Sequence, residues 1–260
     1  MSGARSVAWA GSIRRRDDVV QGAVARLADG NPPMTVRSIV DRAAFIRANT
    51  TLQAPPHVPE IRLRLAHEAH DLWHLTEEEL QDRGLPPPFW AFAWAGGQGL
   101  ARYVLDHPET VRGRRVLDFA SGSGLVGIAA ALSGARRVLA ADIDPFCAAA
   151  IAMNAAENGV ALDFHGEDLI GRDGDWDVIL AGDVFYDRDL ARRIVPWFEA
   201  LAKRGATVLA GDPGRAYLPR ERITRLAEYQ VPVTRALEDA EVKRTSVWRF
   251  DRGGAGSATA

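Results

Sequence analysis

Short apolar runs alternate with amphipathic stretches through the second half of the chain. Strands are expected at residues 115–119, 137–142, 162–165, 177–182 and 207–211, and helices at 125–133, 145–157, 189–203 and 219–228. Near-continuous apolar strands separated by helices predict a parallel sheet covered on both faces. The rhythm then changes. Residues 231–237 and 245–250 read as two strands joined by the charged stretch 238–244, a hairpin that closes an otherwise parallel sheet.

The first half is less regular. Val36, Ile39, Val40, Ala43, Ala44 and Ile46 predict a short helix over 36–48, and Ile61, Leu63 and Leu65 alternate with Arg62 and Arg64 as in a half-exposed strand. Thr76 followed by Glu79 has the form of a helix-starting capping box. Pro86, Pro87 and Pro88 then interrupt the chain ahead of an aromatic and glycine-rich segment, Phe89 to Gly99, from which a helix over 98–105 is expected. Residues 1–34 lack sustained periodicity and are expected to be a poorly ordered extension. The Gly/Ala/Ser tail 253–260 is expected to be disordered. Between them lie an N-terminal region, 35–110, and an α/β core, 111–252.

Composition narrows the function classes. The formal charge of −2 gives no global reason to expect nucleic acid or an anionic membrane as partner, and no apolar run reaches the ~18 residues of a membrane span. Cys147 is the only cysteine, which excludes an intrachain disulfide and suits a reducing compartment, the cytoplasm being the expected one. It sits in an apolar helical stretch and reads as a buried, inert thiol. His67, His70 and His74 fall at helical spacings and could ligate zinc, but they do not form H-E-x-x-H, and a surface role is the default. No metal is expected.

The chemistry begins at Val116-Leu117-Asp118-Phe119-Ala120-Ser121-Gly122-Ser123-Gly124-Leu125-Val126-Gly127, a strand, a small-residue turn and a helix start. Gly122, Gly124 and Gly127 match G-x-G-x-x-G, and Asp142 ends the next strand 20 residues beyond Gly122. This pattern suits any adenosine-containing ligand, nicotinamide dinucleotides included. Asp118 separates the possibilities. A carboxylate there is awkward beside a pyrophosphate and well placed beside a cation. The run from Asp118 resembles the cofactor loop of seven-strand, Rossmann-like methyltransferases, whose S-adenosylmethionine carries a sulfonium and an ammonium. Ala120 replaces a glycine usual in that family, a mild departure if its φ is negative. The resemblance implies that Asp142 grips the ribose and that Asp168, in Glu167-Asp168, recognises the adenine amine. Asp144-Pro145 looks like a helix cap.

A second feature is Trp176-Asp177-Val178-Ile179-Leu180-Ala181-Gly182-Asp183-Val184-Phe185-Tyr186-Asp187, an apolar strand that stops at a carboxylate followed by two rings. A carboxylate beside aromatic faces suits a cationic amine. It equally suits a helix cap beside core aromatics. Three segments resemble the lysine methyltransferases of the electron-transfer-flavoprotein β subunit: residues 89–105, Gly182 to Asp187, and Gly211-Asp212-Pro213-Gly214-Arg215-Ala216-Tyr217-Leu218-Pro219. The cofactor loop and Asp-Ile-Asp-Pro also look similar to ribosomal protein L11 methyltransferases.

The resemblance implies a mostly parallel seven-strand sheet with an antiparallel terminal strand, an N-terminal helix/strand extension serving as a substrate and cofactor lid, and methyl transfer to a lysine of a protein substrate. It implies that Trp94, Gly97 and Gln98 line the methionine end of the cofactor, with Asp118, Ala120, Gly122 and Gly124 beneath them. The resemblance further implies that Asp183 orients the amine and borders the cofactor, and that Phe185 and Tyr186 wall a channel, unless one of them faces the core. Asp212 and Arg215 would shape the mouth. For Trp90 and Phe92 core packing is as good an account. A ribosomal protein or a small amine is the alternative substrate, and a nicotinamide-dependent oxidoreductase the distant alternative activity. A eukaryotic relative would act in the mitochondrial matrix.

Overall fold

A computed structural model describes residues 41–66, 87–233 and 242–252. The expected extension 1–34, the capping box at Thr76, the three histidines and the tail lie outside the described residues. So do residues 234–241, which include most of the charged stretch and the end of the first expected hairpin strand.

The described residues begin with α1 (Arg42–Asn49), capped by Asp41, whose side chain accepts from Ala44 N–H. Two short strands, β1 (Thr51–Gln53) and β2 (Leu63–Leu65), form an antiparallel pair. Then come α2 (Ala95–Asp106), β3 (Arg115–Phe119), α3 (Leu125–Leu132), β4 (Arg137–Ala141), α4 (Cys147–Glu157), β5 (Asp163–His165), β6 (Val178–Gly182), α5 (Arg188–Arg204), β7 (Thr207–Asp212), β8 (Ile223–Pro232) and β9 (Val242–Phe250). Seven strands make one sheet in the order β5-β4-β3-β6-β7-β9-β8, parallel except for β9, which runs antiparallel to both its neighbours.

The five parallel strands arise where the apolar pattern predicts them. Leu117, Ile179, Val208 and Ala210 face a core built on α5, whose Ile194, Trp197, Phe198 and Leu201 are buried. Val116, Val178, Leu180 and Leu209 face the other core, against α2 and α3. Strand order reverses direction at β3 and β6, so the loops after these two strands flank the crevice where open α/β sheets bind ligands.

One predicted element is wrong. Residues 219–228 form no helix: a single 3₁₀ turn at Arg220–Arg222 leads into β8, which occupies most of the segment and ends where the first hairpin strand was expected to begin. The cause is a bulge between Arg225 and Ala227 that shifts the pairing by one residue. Alternation of half-buried and exposed side chains resumes only after it, at Ala227, Tyr229 and Val231, so the uninterrupted period of a strand is missing from the sequence. Smaller differences have local causes. Helix α2 starts three residues before Gln98, with Trp94 as cap, and α4 starts two residues after Pro145.

Two asparagines that end α4 hold the N-terminal strand to the core. Asn154 accepts from Arg64 N–H at 2.8 Å and donates to Ser123 O at 2.8 Å, while Asn158 accepts from Arg62 N–H at 2.9 Å. Asn154 is fully buried and so links β2 directly to the glycine loop.

Candidate active site

The glycine loop starts with a buried acid. Asp118, at 1% exposure, accepts hydrogen bonds on Oδ2 from the Ser121 hydroxyl and from Gly127 N–H at 2.8 Å. Among the described residues no lysine or arginine pairs with it. Burial, which those two hydrogen bonds oppose and the nearby Asp142 charge reinforces, pushes its carboxyl up to about 7. Gly122 and Gly124 turn the loop with φ of 55° and 85°, a region glycine enters without strain. Asp142 closes the loop from β4: Oδ2 accepts from Gly122 N–H and Oδ1 from Asp144 N–H, both at 2.9 Å. Asp144 in turn accepts from Phe146 N–H at 2.8 Å and leads the chain into α4.

Ala120 corrects an expectation. Its φ is 54°, not negative, so the residue that replaces the usual glycine sits in the left-handed region. That conformation costs a residue with a Cβ roughly 1–2 kcal/mol. Ala120→Gly is therefore expected to raise unfolding stability by about 1 kcal/mol, read as a higher urea midpoint at unchanged slope. A lower midpoint would show that the loop carries no strain.

The second acid, Asp183, follows β6 and also has positive φ, 56°, a conformation aspartate tolerates better than most residues. It does cap a helix, but not the one that follows it. Asp187 caps α5, accepting from Leu190 N–H at 2.7 Å. Asp183 reaches instead to the N-terminus of α2, where Oδ2 accepts from Gly96 N–H and from Gly97 N–H at 3.2 Å. Trp94, the cap of α2, offers no side-chain acceptor, so Asp183 supplies what this helix end lacks. The approach depends on glycine: a Cβ on Gly96 would overlap both Gly211 O and the Asp183 carboxylate. On its other oxygen Asp183 receives Arg215, Nε at 3.0 Å and a terminal guanidinium nitrogen at 2.7 Å.

The remaining predicted residues sort by burial. Phe185 is a correction: it is completely buried and packs on Phe250 inside the core, so it walls no channel. The chain leaves the strand at Asp183, whose positive φ turns it, and the bend that follows puts Phe185 in the core and leaves Tyr186 half-buried. Tyr186 is half-buried, its ring 6.1 Å from that of Phe89. Trp94 packs edgewise on Phe89 and donates its indole N–H to Phe89 O at 3.0 Å. Gln98 is buried and braces the backbone, donating to Ala93 O at 2.7 Å and accepting from His57 N–H at 3.3 Å. Trp90 and Phe92 are core residues, Trp90 stacked on Phe146. Asp168 lies on the surface after β5, where it accepts from Ile170 N–H at 2.9 Å and pairs with Arg193 of α5. Partial burial opposes the shift, but these bonds and the Arg193 and Arg172 charges hold its carboxyl below the ordinary range. No hydrogen bond ties it to the glycine loop.

Sequence reasoning left Asp212 and Arg215 at the rim, whereas the structure brings both against Asp183. Asp212 ends β7 beside it, at 1% exposure, and burial together with the Asp183 charge pushes its carboxyl up to about 7. The recognisable signal was the Asp-Pro-Gly turn followed by arginine, which by itself needs no function. Among the described residues no group of three His, Cys, Asp or Glu could hold a metal ion, and no helix is long and apolar enough to cross a membrane.

Two carboxylates stand at neighbouring strand ends, one at the foot of a glycine loop with no basic partner among the described residues and one bound to the start of α2 and to Arg215. The electron transfer flavoprotein β-subunit lysine methyltransferase of Xenopus laevis is 41% identical over 215 residues, covering 80% of this chain and 86% of the relative. The chain belongs to this lysine methyltransferase family. The human member is 36% identical over 222 residues, covering 80% of this chain and 81% of its own. The ribosomal protein L11 methyltransferase (PrmA) family matches residues 103–211. Among solved structures, magnesium protoporphyrin IX methyltransferase from Synechocystis PCC 6803 with bound S-adenosylmethionine superposes with a TM-score of 0.45 at 17% identity, over 60% of this chain and 80% of that one. The methyltransferase is an S-adenosylmethionine-dependent enzyme that methylates lysine in a protein substrate. The residues present fit that cofactor: Asp118 is a buried carboxylate without a cationic partner, at the foot of a glycine loop, and a sulfonium or ammonium would supply the missing charge.

Proposed function

We propose that this lysine methyltransferase modifies the β subunit of electron transfer flavoprotein, with Asp118, Gly122, Gly124 and Asp142 holding the cofactor and Asp183 and Tyr186 forming the amine side of the site. The observation that supports it best is the pairing of two acids across the sheet's switch point. Asp118 is the penultimate residue of β3 and Asp183 follows β6, and these two strands are hydrogen-bonded neighbours. The name carried by the Xenopus and human relatives supports the choice of protein substrate.

When bound, S-adenosylmethionine supplies an electrophilic methyl group on a sulfonium. The protein's own task is to present a neutral amine. An ordinary lysine titrates at ~10.4, so roughly one in 2,500 is neutral at pH 7, a barrier contribution of about 4.6 kcal/mol. Tyr186 and Phe89, beside each other at the strand end, would exclude water and so favour the uncharged amine. Asp183 holds α2 against the ends of β6 and β7, fixing the floor on which the amine is oriented.

Incubating the enzyme and labelled S-adenosylmethionine with purified flavoprotein, and separately with a cell extract, tests the assignment by mass mapping of the labelled residue. Label on a lysine of the flavoprotein β subunit is expected. Label confined to a ribosomal protein or to small amines, with the β subunit unmodified, would overturn it.

A further inference from the structure

The two carboxylates at the ends of β6 and β7 differ in what they have left to offer. Asp183 receives four donors, two from the start of α2 and two from Arg215. A carboxylate presents about four lone-pair sites, so Asp183 has none for an incoming amine. Asp212 is held on one side only. Its Oδ1 accepts from Gly214 N–H at 2.6 Å and from Arg215 N–H at 2.7 Å, which fixes the plane of the group. Its Oδ2 is buried and accepts from no described residue. A buried acceptor left in this state costs roughly 1–3 kcal/mol, and a native structure that keeps one calls for an explanation.

We propose that Oδ2 of Asp212 receives the proton of the substrate lysine, with Asp183 and Arg215 acting as positioning residues. The inference rests on the lysine-transfer reading above. In the step, an Nζ–H bond of the lysine ammonium breaks and an Oδ2–H bond forms, leaving the electron pair on nitrogen. That pair then forms the N–CH₃ bond while the pair of the S–CH₃ bond departs with sulfur, and the carboxylic acid returns its proton to water. Asp183 cannot take this part, because its oxygens already hold the helix start and the guanidinium.

The surroundings adjust Asp212 for the task. Burial first, and the Asp183 charge second, push its carboxyl up to about 7, against the two N–H donors and the Arg215 charge. A base that titrates near ambient pH is ionised often enough to act and basic enough to hold a proton. The charged groups around it are Asp183 after β6, Arg215 in its own loop, and Arg220, Arg225, Glu228 and Arg244, which line the hollow that Asp212 borders on the β8–β9 side.

Asp212→Asn tests the proposal because the amide oxygen can still accept from Gly214 and Arg215 while the proton acceptor is gone. We expect kcat to fall roughly 100-fold or more, S-adenosylhomocysteine affinity by calorimetry to stay unchanged, and the ionisation near pH 7 to vanish from the kcat/KM profile for the protein substrate, measured at saturating cofactor so that Asp118 does not contribute. Asp183→Asn removes the neighbouring charge, so the Asp212 carboxyl resonance in an NMR titration, and the kinetic midpoint with it, should move to lower pH together. The titration also serves if Asp212→Asn fails to fold: in the wild-type enzyme the Asp212 resonance and the kinetic midpoint must coincide. An Asp212→Asn enzyme with wild-type rate and pH profile, or an Asp212 titration unrelated to the kinetic midpoint, would overturn the proposal. A wild-type enzyme that methylates no lysine would instead sink the underlying reading.

Discussion

Replacing Asp183 with alanine is expected to lower unfolding stability by about 3–5 kcal/mol and to abolish methyl transfer. The residue is 7% exposed and joins three parts of the chain: the end of β6, the start of α2 and the loop that carries Arg215. Without it the Gly96 and Gly97 N–H groups lose their partner at a buried helix end, and the Arg215 guanidinium loses its counter-charge. Helix α2 is then no longer drawn against Gly211, and the floor of the amine site moves. Cofactor binding should persist in the folded protein, since Asp118, Gly122, Gly124 and Asp142 belong to other loops. Urea denaturation, calorimetry with S-adenosylhomocysteine and label transfer separate the three effects. A variant as stable and as active as wild type would mean that the carboxylate neither caps α2 nor serves catalysis.

Cofactor affinity should fall as pH drops through about 7, roughly tenfold for each pH unit below it, because Asp118 must lose its proton to attract a cation. The sign of the stability effect is opposite. Asp118 titrates higher in the folded protein than in the unfolded chain, so its contribution to stability is fully present below the unfolded value of 3.8 and is lost as pH rises through about 7. Asp212 behaves the same way. The ligand-free protein should therefore unfold at a higher temperature at pH 5.5 than at pH 8, and saturating cofactor should reduce or reverse that order. In Asp118→Asn the affinity should be weak at every pH and the slope flat. A wild-type affinity independent of pH between about 5.5 and 8 would exclude Asp118 as the cation's partner.

Much of this was legible in the chain. The five parallel strands and three of the four core helices follow from apolar runs and their spacing, because each buries a local pattern against the sheet. Asp118 with Gly122, Gly124 and Asp142 was legible for a related reason: the loop's hydrogen bonds connect the end of one strand to the end of the next, so local spacing nearly determines them. β8 was not legible, since its bulge breaks the two-residue period and its register exists only opposite β9. Phe185 and Tyr186 could not be ranked, because adjacent positions after a strand look alike until the chain's turn decides which one enters the core.

The sequence by itself determined the parallel strands, the glycine loop with its two acids and the presence of an acid with rings at the end of β6. It could not say that Asp183 is spent on α2, 87 positions earlier in the chain, and on Arg215, 32 positions later. Nor could it say that Asp212 keeps an oxygen without a partner. Hydrogen-bond saturation is a property of everything that surrounds a group, and those surroundings come from segments that meet only when the sheet assembles.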